Sequence, residues 1–128
     1  MIPQAVHKEL LQAQTPLAVR NWVANLPAWC EERLVIAPPD PALDELDPGE
    51  REAIQLAAEA GVDTVLMDDA AGRREAARRH LRVIGTLGIL EQASQKGLVE
   101  FRDALQRLER TNFRLSAAVR DEFLRRNP

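Results

Sequence analysis

In the segment from Asp47 to Gly88, acidic residues occur at the start of a predicted helix and at the end of a predicted strand. Glu50 and Glu52 occupy the first turn of a predicted helix, and Asp68 and Asp69 directly follow a predicted strand. Carboxylate oxygens are ligands that Mg²⁺ accepts readily, and a bound divalent metal activates water for phosphodiester hydrolysis. The residue types therefore predict a divalent-metal site centred on Glu50 and Asp68.

Helices and strands alternate around these carboxylates. The pattern predicts a helix from Asp47 to Gly61, a strand over Thr64–Met67, a helix from Ala70 to about His80 and a strand over Arg82–Ile84. This alternation implies a parallel sheet with right-handed crossovers. The C-terminal ends of such strands and the N-terminal ends of the helices share one rim. We therefore expect the carboxylates of Glu50 and Asp68 to approach within roughly 8 Å.

The remaining chain predicts further helices and one more strand. A helix runs from Pro3 to about Gln14, a second begins with Thr15 as its N-cap and Pro16 as its first residue, and RLVIA (Arg33–Ala37) is a strand that prolines terminate. The C-terminal end predicts three helices: Leu87–Gln95, one carrying Leu98 to Leu108, and one capped by Ser116. The expected architecture is a single α/β domain over residues 1–128, with a small parallel sheet, helices on both faces and a helical C-terminal end.

Composition narrows the function classes. A hydrophobic fraction of 45% and a charged fraction of 29% are typical of a soluble globular protein, and no apolar run approaches the roughly 20 residues that span a bilayer. The single cysteine, Cys30, excludes an internal disulfide and suits a reducing cytoplasm. Two histidines make an ordinary zinc site implausible. The net charge of −3 gives no overall attraction to nucleic acid, although RREAARRHLR (Arg73–Arg82) is locally basic.

Several segments, at their spacings in this chain, resemble one family. GEREAI, LMDD, GRR and GTLG are similar to the PIN-domain proteins, in particular to a short branch related to the VapC-like toxins of bacterial toxin–antitoxin pairs. IPQAVHKEL and FRLSAAVRDEFLRR resemble the first and last helices of that branch, so the resemblance covers nearly the whole chain. It implies a three-layer α/β/α sandwich and Mg²⁺- or Mn²⁺-dependent cleavage of RNA by clustered carboxylates.

The resemblance also implies roles for individual residues. Glu9 is the acidic residue of the early helix, Glu50 or Glu52 that of the middle helix, and Asp68, together with Asp69, the acidic group after the central strand. The catalytic candidates are therefore Glu9, Glu50, Glu52 and Asp68, and the metal-binding candidates are Glu50, Asp68 and Asp69.

Three residues are candidates for contact with RNA. Arg73 and Arg74 begin the helix after Asp68, close enough to neutralise a phosphate, and Thr86 lies between Gly85 and Gly88. Each has a structural alternative, because an arginine run is often a solvated helix face and a threonine between glycines often caps a helix.

The chain departs from the family at its first residues. Family members normally begin with a strand that ends in an aspartate, ahead of the helix that opens this chain. Without that strand we expect weak metal binding and an unpaired apolar sheet edge that favours a homodimer. The predicted function is a cytoplasmic, VapC-like ribonuclease toxin or a degenerate relative of one. The alternative is a non-catalytic module that binds an antitoxin or a second copy of itself.

Other residues among the candidates have structural interpretations that the sequence leaves open. Glu50 three residues after Asp47 fits a capping box, Glu52 fits a solvated position near the helix N-terminus, and Asp69 fits a helix N-cap. Trp22 and Trp29 are interpreted as core or interface residues.

Overall fold

The computed structural model describes all 128 residues, which divide into two compact units, residues 1–83 and 84–128. The strands are β1 (Ile2–Pro3), β2 (Glu32–Arg33), β3 (Thr64–Leu66) and β4 (Arg82–Ile84). The helices of the first unit are α1 (Gln4–Leu10), α2 (Leu17–Ala24), α3 (Pro48–Ala60) and α4 (Ala70–Arg78), with a 3-10 helix over Pro41–Leu43. The second unit contains α5 (Thr86–Gln95), α6 (Phe101–Glu109) and α7 (Ala117–Arg126). The predicted mixed α/β class is confirmed.

The strands form two separate two-stranded sheets, β1–β2 and β3–β4. β1 and β2 are parallel, with Ile2 opposite Glu32 and Pro3 opposite Arg33. Beside β3, the N–H of Arg82 donates to the carbonyl of Asp63 across 2.7 Å. The single small sheet expected from the sequence is therefore divided, and every strand has one edge without a neighbouring strand.

Helix α3 begins and ends where the sequence predicts. Asp47 is its N-cap residue, and Gly61 ends it in the left-handed conformation at φ +64°, which glycine adopts without strain. The side chain of Asp47 makes no capping hydrogen bond, so the capping-box interpretation of Glu50 is wrong. The apolar face of α3 packs into the core of the first unit, a cluster of Leu43, Ile54, Ala57, Val65, Met67 and Ala76.

The predicted strand Arg33–Ala37 is wrong beyond its first residue. β2 covers Glu32–Arg33, and the chain then leaves the sheet. The carboxylate of Glu59 accepts hydrogen bonds from the backbone N–H groups of Ile36 and Ala37 at distances of 2.6 to 3.1 Å. These contacts attach the segment to the side of α3 and leave the side chains of Leu34 and Ile36 exposed.

The first helix is shorter than the sequence pattern indicates. Ile2 and Pro3 are paired with β2, so α1 begins at Gln4 and ends at Leu10. The pattern missed β1 because two residues carry no measurable periodicity, and because the partner strand lies about 30 residues downstream.

Helices α5, α6 and α7 of the second unit agree with the three helices predicted for this region, except that α6 begins at Phe101 and therefore does not include Leu98. Leu87, Phe101 and Leu105 form the core of the unit, and the rings of Phe101 and Phe123 stack with their centroids 6.2 Å apart. The hydroxyl of Ser116 accepts a hydrogen bond from the N–H of Val119 at 3.3 Å, which confirms the predicted cap.

None of the helices combines the length and the apolar character that crossing a bilayer requires. Trp22 and Trp29 contact each other, with ring centroids 6.1 Å apart, but they are 43% and 78% exposed. The core interpretation of these tryptophans is therefore wrong, and the interface interpretation stays a prediction.

Candidate active site

The carboxylate of Glu50 is the centre of an acidic cluster at the N-terminus of α3. Its side chain is half-buried, and this desolvation is the main cause that raises its pKa. A hydrogen bond from its own backbone N–H opposes the rise, whereas the negative charges of Asp47, Asp69 and Glu9 add to it. A half-buried carboxylate among three others of the same charge is favourably placed to attract a cation.

Two buried glycines let this cluster form. A Cβ at Gly49 would lie 3.4 Å from Oε2 of Glu9 and 3.2 Å from Cγ2 of Val6, so the missing side chain brings α1 and α3 together. A Cβ at Gly72 would lie 3.1 Å from Cγ of Glu50 and would collide with Sδ of Met67. The stem of Glu50 therefore rests against the first turn of α4.

Glu52, the second candidate of the middle helix, has a structural contact. Its Oε2 accepts a hydrogen bond of 2.8 Å from the backbone N–H of Ala5 in the first turn of α1. Its charge is not among those that raise the pKa of Glu50. Of the two predicted carboxylates of α3, Glu50 is the one that belongs to the acidic cluster.

Asp68 and Asp69 follow β3 and the buried Met67, as expected, but they differ in their surroundings. Asp69 is the N-cap residue of α4, and its Oδ2 accepts a hydrogen bond of 2.9 Å from the N–H of Gly72. The negative charge of Asp69 also raises the pKa of Glu50. Both aspartates are exposed, but the charge of Asp68 is not among those that raise the pKa of Glu50.

Asp47 is a member of the cluster that the sequence did not single out. The sequence predicts Asp47 as a helix cap, and in the structure its negative charge also raises the pKa of Glu50. The signal was present, because two acidic residues three positions apart in a helix start lie on neighbouring faces of one turn.

The arrangement of the donor groups limits the kind of metal site that the chain can form. No three side chains among His, Cys, Asp and Glu are placed so that they could hold a metal ion together. The donor chemistry itself is suitable, because Mg²⁺ accepts one or two carboxylates and completes its octahedron with water. Glu50 and Asp69 fit that smaller requirement, because both lie against Gly72: a Cβ there would lie 3.1 Å from Cγ of Glu50, and the Gly72 N–H donates to Oδ2 of Asp69 at 2.9 Å.

Most of the basic run after β3 is engaged within the protein. Nη1 of Arg73 donates to the carbonyl of Met67 at 2.9 Å. Arg78 and Arg79 form ion pairs with Glu75. Arg79 also forms an ion pair of 2.9 Å with Asp40, and Arg82 lies 3.9 Å from Asp63. Arg73 and Arg74 are both exposed in the first turns of α4, but only Arg73 is held by a contact of this kind. Among the two predicted phosphate contacts, Arg74 is the more available.

Thr86 belongs to the second unit. It is the first residue of α5, and the N-cap position before it is occupied by Gly85. The interpretation of Thr86 as a cap is therefore wrong, and its role in RNA binding stays a prediction.

Comparison with known proteins identifies one family. The family model DUF3368, described as a PIN domain, matches residues 1–127 and therefore both units of the chain. No curated protein and no solved structure matches the chain.

Proposed function

Because this chain belongs to the PIN-domain family, whose fold suggests a nuclease, we propose that it is a metal-dependent endoribonuclease of the VapC-like toxin type. Its substrate is RNA, its cofactor is Mg²⁺ or Mn²⁺, and its compartment is the cytoplasm. A cognate antitoxin protein is its proposed regulator.

One observation carries this proposal: the half-buried carboxylate of Glu50 among the charges of Asp47, Asp69 and Glu9. Like charges held together in partial isolation from water are unfavourable for folding unless a ligand compensates them. A divalent cation is the ligand that would fit both the charge and the oxygen donors.

The proposed roles follow from the positions of these residues. Glu50 and Asp69 hold the cation, which supplies an activated water and neutralises phosphate charge when it is bound. Glu9 adds negative charge to the site, Asp68 offers a further carboxylate beside Asp69, and Arg74 pairs with a phosphate oxygen of the RNA. Glu52 supports the site indirectly, by attaching the first turn of α1 to α3.

The test is cleavage of a short single-stranded RNA of mixed sequence in the presence of Mn²⁺. Glu50→Gln keeps the shape of the side chain and removes its charge, so we expect the rate to fall by about 100-fold or more. Glu45→Gln is the matched control, because Glu45 is an exposed acid in the loop before α3. Its rate should equal that of the wild type. Cleavage that persists in Glu50→Gln would contradict the proposed site.

A second candidate function is a non-catalytic interaction module that binds an antitoxin or a second copy of the chain. An apolar cleft of about 520 Å³, lined in part by β1 and β3, favours it. A wild-type chain that is folded but cleaves no RNA with either metal would favour this function over the first.

A further inference from the structure

The C-terminal half of α6 and the turn that follows it are strongly basic. Residues 104–120 contain four arginines and a single acidic residue, Glu109. Nε of Arg120 donates to Oε1 of Glu109 at 2.6 Å, so this carboxylate already has a cationic partner. The other three arginines, Arg107, Arg110 and Arg114, are exposed and form no hydrogen bond or ion pair within the protein. We call these three residues the arginine cluster.

The turn that carries the arginine cluster has an ordered backbone. The hydroxyl of Thr111 donates to the carbonyl of Leu108 at 2.7 Å and accepts from the N–H of Phe113 at 3.1 Å. Leu108 and Leu115, on either side of the turn, pack against the core of the second unit. The fold therefore fixes the positions from which the three arginine side chains extend into solvent.

Helix stability accounts for only part of the arginine cluster. Arg107 lies in the last turn of α6 and Arg110 is its C-cap residue, and positive charge is favourable at a helix C-terminus. Arg114 lies two residues before Ser116, the N-cap residue of α7, where the helix dipole disfavours a positive charge. A structural role therefore explains the first two arginines but leaves the third without a reason.

The chemistry of the arginine cluster suits phosphate. Each guanidinium group is planar and presents five donors, and it forms paired hydrogen bonds with the oxygens of one phosphate. Arg107 and Arg110 are three positions apart, so their Cβ atoms are neighbours on the helix surface, roughly 5 to 6 Å apart. Two adjacent guanidinium groups can therefore contact successive phosphates of one strand.

The charge distribution of the chain favours RNA as the occupant. The net charge of −3 and the acidic cluster around Glu50 both oppose the approach of a polyphosphate. Most of the basic run Arg73–Arg82 in the first unit is engaged with carboxylates or with a carbonyl. The arginine cluster supplies free guanidinium groups, which an enzyme that acts on RNA requires for attraction.

We propose that the arginine cluster binds the phosphate backbone of single-stranded RNA without reading its base sequence. Each contact releases counterions from the RNA, so the binding is electrostatic and weakens with salt. The choice of RNA rests on the proposed function, whereas the surface itself lies entirely within the second unit. The cluster contributes to affinity and takes no part in the chemical step.

Fluorescence anisotropy with a short labelled single-stranded RNA of mixed sequence tests the proposal. EDTA in the buffer prevents cleavage, so only binding is measured. The double variant Arg110→Gln/Arg114→Gln should raise Kd at least about fivefold at low salt. The slope of log K against log salt concentration changes by about 0.7 for each phosphate contact of a single strand, so the double variant should reduce it by roughly 1.4.

Arg102→Gln/Arg125→Gln is the matched control. It removes the same charge, because both arginines are exposed and form no ion pair, but Arg102 begins α6 and Arg125 ends α7, away from the turn. Circular dichroism should show that both double variants are folded. The control should retain the affinity and the salt slope of the wild type. Equal losses in the two double variants would overturn the proposal, because the attraction would then be diffuse.

Two further results separate the proposal from its alternatives. A labelled poly-glutamate peptide is the probe for an acidic protein as occupant. If it binds more tightly than the RNA and is lost in Arg110→Gln/Arg114→Gln, an acidic protein occupies the cluster and the proposal is overturned. A wild type that binds RNA through the cluster but cleaves none would contradict the proposed function and support this inference. A wild type that cleaves RNA but binds it equally well without the cluster would do the reverse.

Discussion

The carboxylate of Glu52 accepts a hydrogen bond from the backbone N–H of Ala5 across 2.8 Å and 47 positions of sequence. This contact satisfies one of the N–H groups at the start of α1 that the helix itself leaves without a partner. It also fixes the rotation of α3 relative to α1. Glu50, two residues earlier, is consequently directed to the acidic cluster with Asp47, Asp69 and Glu9.

The first prediction contrasts these two glutamates. Glu52→Ala should lower the free energy of unfolding by about 1 to 3 kcal/mol, because it leaves a partly buried backbone donor without its charged acceptor. Glu50→Ala should not lower it comparably at neutral pH, because the raised pKa of Glu50 means that folding disfavours its ionised form. Urea denaturation of both variants measures the difference. Equal losses would contradict the assigned roles.

The sequence predicted elements whose signals are local. Asp47-Pro48 and Gly61 delimit α3, and Ser116 caps α7, because caps and left-handed glycines act within a few residues. The family and the mixed α/β class were also predictable. The division into two sheets was not, because β1 and β2 are two residues each and depend on pairing between distant segments.

The candidate site was predicted in part, for a geometric reason. Residues two positions apart on a helix differ by about 200° in direction, so a sequence that contains both Glu50 and Glu52 does not reveal which one faces the site. The answer depends on Ala5 of α1 and Gly72 of α4, which contact these glutamates only in the folded chain. The strand propensity of Leu34–Ala37 was likewise overridden by the contact with Glu59.

The second prediction concerns the glycines that support the cluster. Gly72→Ala should destabilise the protein by about 1 to 3 kcal/mol, because the added methyl collides with Sδ of Met67 and crowds Cγ of Glu50. Gly49→Ala should cost less, because its closest new contact is 3.2 Å and alanine favours a helix by roughly 0.5 to 1 kcal/mol. Thermal unfolding of the two variants gives the order. A more stable Gly72→Ala variant would contradict the packing described.

The third prediction is a dependence of stability on pH in the second unit. Burial alone would raise the pKa of Glu91, but hydrogen bonds from Asn127 and Arg126 and the charge of Arg126 lower it below its ordinary value of 4.5. A lowered pKa stabilises the folded state above the unfolded-state pKa, and this stabilisation disappears as the pH falls through the folded-state value. Between neutral pH and about pH 3, the wild type should lose up to about 1 kcal/mol more than Glu91→Gln.

Glu122→Gln is the control for this effect. Glu122 contacts the same guanidinium of Arg126, but at 3.4 Å and with half of its side chain exposed. Urea denaturation at several pH values should therefore give nearly the same curve for Glu122→Gln as for the wild type. A pH dependence in Glu91→Gln identical to that of the wild type would exclude Glu91 as its source.

The last prediction is that Mn²⁺ stabilises the chain modestly and through Glu50. A ligand that binds only the folded state stabilises it by RT ln(1 + [L]/Kd), so a concentration of ten times Kd adds about 1.4 kcal/mol, or roughly 4 to 6 °C in melting temperature. The binding should be weak, because Glu50 and Asp69 are the two carboxylates that fit the ion, and the rest of its coordination would be water. Protons compete for Glu50, whose pKa is raised by burial and by the neighbouring carboxylates, so the shift should grow as the pH rises above the range in which an ordinary glutamate titrates. Differential scanning calorimetry at constant ionic strength should show the shift in the wild type and in Glu45→Gln, and lose it in Glu50→Gln. A shift of equal size in all three proteins would place the metal away from the acidic cluster.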